Sequence, residues 1–162
     1  MNDKVLTGQT AEHIHWLNEK TGIHHEMHQA WLSMKKAAML DGLDVDIASG
    51  YRTFDRQLTI WNNKYSGQTV VKGIDNQIID LTKLSNKEKL SAILLFSALP
   101  GASRHHWGTD IDVYAKNLLP ANQSLQLEPW EYQPDGPFYQ LSLWLDEHSK
   151  KFGFYFPYDK FR

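Results

Sequence analysis

LDVDIASGYRT, residues 43–53, decides the fold class. Leu43, Val45 and Ile47 alternate with Asp44 and Asp46, a two-residue period that predicts a half-buried strand. The pattern changes on both sides. Upstream, Met27, Ala30, Trp31, Met34, Ala37 and Ala38 recur at helical spacing, predicting a helix over 24–40 that Gly42 stops. Downstream a helix is expected over 54–65, with Leu58, Trp61 and Tyr65 on one side. A second alternating stretch closes SRHHWGTDIDVY, residues 103–114: Thr109, Ile111 and Val113 face one way, Asp110, Asp112 and Tyr114 the other.

The rest of the chain fills in around these strands. Residues 66–84 are irregular and read as an excursion with room for a short hairpin. Ser85 and Glu88 form a capping-box pattern that starts a helix, which Pro100 and Gly101 end near residue 99. A loop over 119–137, a last helix over 138–151 and the aromatic tail FGFYFPY complete it, the aromatics being expected in the core. No repeat or linker interrupts residues 1–162, so a single α+β domain with helices around a small sheet is expected.

Composition bounds the function. The chain has 162 residues, 41% hydrophobic and 22% charged, which suits a folded core. A net charge of -2 provides no basic field for nucleic acid. There is no cysteine, which excludes disulfides and thiolate zinc sites but fits a reducing or an oxidising compartment. No basic start with an apolar run marks a secretory signal, so the default expectation is cytoplasmic, with the cell envelope open. No apolar run is long enough to predict a membrane span.

His105 and Asp112 carry ligand chemistry. Imidazole and carboxylate suit a borderline metal such as zinc, and Gly108 lets the chain turn between them. A solvated turn, or a plain Asp–His hydrogen bond, gives the same spacing. Asp110 lies roughly 6.6 Å from Asp112 along an extended strand, so it is read as an orienting or substrate-contacting group. His106 is read as a packed neighbour. Arg52, just after a strand and beside Ser49 and Gly50, offers a planar fork for a carboxylate or a developing oxyanion; an ordinary salt bridge is the alternative. His24, His25 and His28 are expected on a solvated helix face, with His13, His15 and His148 equally unremarkable in role.

Together the pieces resemble a known family. SGYR and Gln57, followed by Ser103-x-His105-x-x-Gly108-x-x-x-Asp112, resemble the zinc D,D-peptidases of the D-alanyl-D-alanine carboxypeptidase family. These VanY-like enzymes include vancomycin-resistance carboxypeptidases and dipeptidases and some phage endolysins. AMLDGLDVDIASGYRTF, RQLTIWNNK and SALPGASRHHWGTDIDVY carry the likeness, which runs from about residue 25 onward. It implies a small α+β fold with a central antiparallel sheet, shared with the hedgehog signalling domain. It implies His105 and Asp112 as two ligands of Zn2+, and Arg52 as the contact to substrate and transition state. Gln57 and Ser103 would line the cleft. The implied partner is a peptidoglycan stem peptide or a D-Ala-D-Ala-containing precursor.

One part of the family pattern is not found. The resemblance implies a C-terminal Glu-x-Trp-His that supplies the third ligand and the catalytic glutamate, and these 162 residues contain none. EPWEY, residues 128–132, has Glu131 where histidine should stand, precedes the last helix, and is read as a look-alike whose loop packs Trp130 onto the domain. A C-terminally truncated member, with the third ligand absent and activity low or nil, is therefore expected. The alternative is a non-catalytic module that holds D-Ala-ended peptides through Arg52; a hedgehog-like interaction domain rests on fold analogy alone.

Overall fold

The computed structural model describes residues 2–74 and 76–157. A short helix α1 (Asp3–Leu6) opens the chain, capped by the Asn2 side chain on the Val5 amide. Strands β1 (Ile14–Trp16) and β2 (Gly22–His24) form an antiparallel ribbon, with Ile14 opposite His24. Asn18 shapes their turn by accepting from the Lys20 and Thr21 amides, both at 2.9 Å. Then come α2 (His28–Leu40), β3 (Val45–Ser49), α3 (Phe54–Tyr65), α4 (Asn86–Leu94), β4 (Asp112–Ala115) and α5 (Tyr139–His148).

β3 and β4 pair antiparallel at the centre, Val45 against Ala115 and Ile47 against Val113. The register shifts between Ile47 and Ser49, which sets Ser49 opposite Asp112. β2 is tied alongside through Tyr51 N to Gly22 O (2.7 Å) and His24 N to Gly108 O (2.8 Å). The expected α+β class, a small antiparallel sheet flanked by helices, is what forms. Trp31 and Met34 of α2, Val45 and Ile47 of β3, and Phe138 and Leu141 beside α5 fill the main core. A smaller cluster of Trp61, Val71, Leu81 and Ile93 holds α3, α4 and the excursion between them.

Several boundaries differ from expectation. The helix expected from 24 begins at His28, because Gly22, Ile23 and His24 are buried in the ribbon and His25–Met27 make a 3-10 turn. Gly42 does stop α2, at φ +82. The buried face of α3 is Gln57 and Trp61, while Leu58 and Tyr65 are exposed. The capping box at Ser85 and Glu88 is formed, but α4 ends at Leu94, short of 99. The carbonyl of Ala98 instead serves side chains of α3. The excursion contains the short hairpin, with Ile79 N on Val71 O at 2.9 Å and Gly73 N on Gln77 O at 2.9 Å. The strand expected over 109–114 is paired only from Asp112. The last helix ends at His148, and a 3-10 turn over Ser149–Phe152 continues it. Of the tail, Phe152 and Phe154 pack on the core, but Tyr155 and Phe156 are exposed. The histidines differ too: His13 and His24 are buried, their rings 5.7 Å apart.

Gly108 holds φ +69, and a Cβ there would meet the His24 amide nitrogen at 2.8 Å and the Ile14 side chain at 2.5 Å. Gly108→Ala is expected to lower stability by about 2–4 kcal/mol in urea denaturation, from left-handed strain plus overpacking. A pH dependence follows from His24. Burial, then the neighbouring His25 and His13, hold its imidazole below the ordinary 6.5, against the pull of Glu26. The folded state thus favours the neutral ring. That contribution is complete above 6.5 and is lost as pH falls through the lowered folded value. Denaturation midpoints should drop over that acid window, and less so in His24→Gln.

Candidate active site

Two turns meet at the end of the β3–β4 ladder. One is the Gly50–Arg52 segment leaving β3; the other is the 3-10 turn Arg104–Trp107 that precedes β4. They clasp through three hydrogen bonds. His105 Nδ1 donates to Gly50 O at 2.9 Å, Arg52 N donates to His105 O at 3.0 Å, and His106 Nδ1 donates to Arg52 O at 2.6 Å. His106 is fully buried, its Nε2 accepting from Gly101 N at 3.0 Å, which makes it the packed neighbour expected. Burial holds its imidazole below the ordinary value. His13 Nε2 braces the same turn by donating to His106 O at 3.0 Å.

The clasp fixes the His105 tautomer. A carbonyl only accepts, so Nδ1 carries the proton and Nε2 turns its lone pair outward. That lone pair faces Asp112 Oδ2 at 3.6 Å. A proton or a metal ion between two acceptors at this range would make their approach attractive. Donor atoms bound at about 2.0–2.1 Å to one tetrahedral zinc lie roughly 3.3 Å apart, so the gap suits such an ion. Burial pushes the Asp112 carboxyl above its ordinary value, while His105 and Arg52 pull it back. Among the described residues, no group of three histidine, aspartate or glutamate side chains gathers to hold a metal.

Arg52 is held as a flat fork. It donates to Gln57 Oε1 at 2.8 Å and to Ser49 Oγ at 2.9 Å. Burial lowers its guanidinium from the ordinary value, and the charges of Asp112 and Asp110 counter this. Gln57, 1% exposed, passes the constraint on by donating to Ala98 O at 2.6 Å. Thr53 caps α3 on the Arg56 amide, so Arg52 sits just before a fixed helix start.

The sequence-derived residues thus fall unequally. His105, Asp112, Arg52 and Gln57 come together. Asp110 precedes the paired part of β4 and forms an ion pair with Arg104 at 3.5 Å. Ser103 is buried at the head of the 3-10 turn, its carbonyl accepting from His106 N at 3.1 Å. In EPWEY the roles are reversed: Glu131 is buried and accepts from the Gln126 and Glu128 amides, whereas Trp130 is exposed. Glu131 is a loop brace. Sequence reading missed the Gly50 carbonyl, which carries no side-chain signal, and gave no role to the Ser49 hydroxyl, whose proximity to Arg52 in sequence was the available clue.

Comparison with known proteins places this geometry. A profile described as VanY: D-alanyl-D-alanine carboxypeptidase matches residues 20–162. An uncharacterized protein of Haemophilus influenzae is 52% identical over 60 residues, 37% of this chain and 46% of that protein. A second from the same organism is 32% identical over 103 residues, 61% of this chain and 70% of that protein. The chain therefore spans less than half of the first relative. Among solved structures, a Zn(II) complex of the vancomycin resistance D,D-pentapeptidase VanY from a VanB-type cassette superposes with TM-score 0.59 at 23% identity, over 89% of this chain and 67% of that one. VanYB in complex with D-alanine-D-alanine gives 0.60 at 23%, over 86% and 62%. The LdcB LD-carboxypeptidase gives 0.59 at 25%, over 90% and 54%.

Gln57→Leu should leave a buried Arg52 donor without its partner, while the Ala98 carbonyl keeps only Trp61 Nε1. A stability loss of about 1–3 kcal/mol is expected, read by chemical denaturation, with far-ultraviolet dichroism unchanged.

Proposed function

The chain belongs to the VanY family of D-alanyl-D-alanine carboxypeptidases, and from that premise we propose that its site hydrolyses D-Ala-containing peptidoglycan stem peptides or their precursors with the help of zinc. The observation that carries the zinc reading is the outward Nε2 of His105 facing Asp112 Oδ2 at 3.6 Å. His105 and Asp112 would hold the ion. Zinc, when bound, supplies Lewis acidity and a water whose pKa is lowered to about 7.

The chain's own groups do the rest. Gly50 fixes the His105 ring so that Nε2 stays available. Arg52 presents its fork to the carbonyl oxygen as negative charge grows on it, and Gln57 and Ser49 keep the fork from rotating away. Asp110, paired with Arg104, borders the same face and would orient the bound peptide. Support for the substrate class comes from the family match and from the D-alanine-D-alanine complex of a structural neighbour.

A second reading has its own support. Among the described residues no third histidine, aspartate or glutamate joins His105 and Asp112 in a group able to hold a metal, and catalytic zinc ordinarily has three protein ligands. A module that binds D-Ala-ended peptides through Arg52 without cleaving them needs no third ligand. One assay separates the two. D-Ala release from a D-Ala-D-Ala peptide is measured with zinc and with chelator, alongside peptide binding by calorimetry. Hydrolysis is expected to require zinc, to vanish in His105→Ala and to fall about 10²–10³-fold in Arg52→Ala. Binding without release under any zinc concentration favours the module, and neither binding nor release overturns both.

A further inference from the structure

The buried face of α3 carries more than Gln57. Gln57, Trp61 and Lys64 stand at helical spacing on one side, and all three reach the same segment after α4. Gln57 Nε2 and Trp61 Nε1 donate to Ala98 O, each at 2.6 Å, and Lys64 Nζ donates to Ser97 Oγ at 2.7 Å. Arg52 is joined to this row through Gln57. Two cations therefore flank Gln57 along one wall.

Lys64 lacks an anion. It is half-buried, and among the described residues no carboxylate oxygen lies within 4.0 Å of its ammonium. Glu128 is the acid it feels, but Glu128 is engaged by Lys72 at 3.0 Å. A serine hydroxyl satisfies one of three donors and neutralises nothing. Burial, followed by repulsion from Arg52, holds the Lys64 ammonium below its ordinary value, with Glu128 compensating in part. A charge withdrawn from water beside a like charge is costly unless something anionic joins it. The last turn of α3 favours a cation, yet that dipole effect is small and does not require burial.

We propose that Lys64 forms a subsite for a second carboxylate on the substrate, so that the site reads an acidic peptide. This rests on the reading of Arg52 as the contact to the reacting end. Seven helical residues separate Gln57 from Lys64, on the order of 10 Å. An extended peptide covers that in about three residues, which places the carboxylate two or three residues before the D-Ala end.

The test titrates the full chain, with zinc present, with two peptides ending in D-Ala-D-Ala. They differ only in a glutamate or a glutamine at that upstream position. Wild type is expected to bind the acid peptide about tenfold more tightly than the amide. Lys64→Met should erase the difference by weakening the acid peptide alone, Lys64→Arg should retain most of it, and thermal melting should confirm that both variants fold. Equal binding of the two peptides by wild type overturns the subsite and leaves the D-Ala reading standing. Equal weakening of both by Lys64→Met shows a structural role and also overturns it. Binding of neither peptide overturns the D-Ala reading, and the subsite with it.

Discussion

Three hydrogen bonds between residues 50–52 and 105–106 hold the site together. Each contributes only about 1 kcal/mol net, but an unmade partner in a dry location costs about 1–3 kcal/mol, so the three stand or fall as a set. Their arrangement is reciprocal. Gly50 orients the ring whose Nε2 faces Asp112, and the backbone of that histidine orients Arg52 in return. His106 closes the loop from beneath, with no side-chain atom left to solvent. The imidazole of His105 is thus positioned by the main chain of Gly50, and the backbone of Arg52 by that of His105.

The ladder beneath supplies the other coordinate. A regular continuation of β3 against β4 would have paired the strands one residue differently. The shift between Ile47 and Ser49 instead sets Asp112 opposite Ser49, the residue whose hydroxyl takes one arm of Arg52. A strand irregularity thereby brings carboxylate, hydroxyl and guanidinium to one corner. β2 docks there as well, through Gly22 and Gly108, and ties the N-terminal ribbon to the site.

Much of this was legible. The two alternating stretches became the paired strands, and Gly42 and Ser85 acted as stop and start because their signals are local. His105, Asp112 and Arg52 were singled out from residue type and spacing and Gln57 from the family resemblance, and the structure brings the four together. What stayed hidden was non-local. His24 follows a helix-like pattern yet joins a ribbon whose partner strand carries only three residues. EPWEY mimics a family motif, but Glu131, standing where histidine should be, is spent on two loop amides. The exposure of Leu58 and burial of Gln57 reverse the hydropathy ranking, because Gln57 is satisfied at both ends, by nearby Arg52 and by Ala98 far along the chain.

The span between α3 and the 3-10 turn closes on its own apolar cluster around Trp61, Val71, Leu81 and Ile93, apart from the main core. This span and the central ladder therefore rest on separate apolar clusters, joined where Gln57 donates to Ala98 O. Drift in this span can move the Ser97 hydroxyl that Lys64 meets while the three bonds of the clasp keep their geometry. A lineage can thus vary the surroundings of Ser97 while the pairing of residues 50–52 with 105–106 stays as it is.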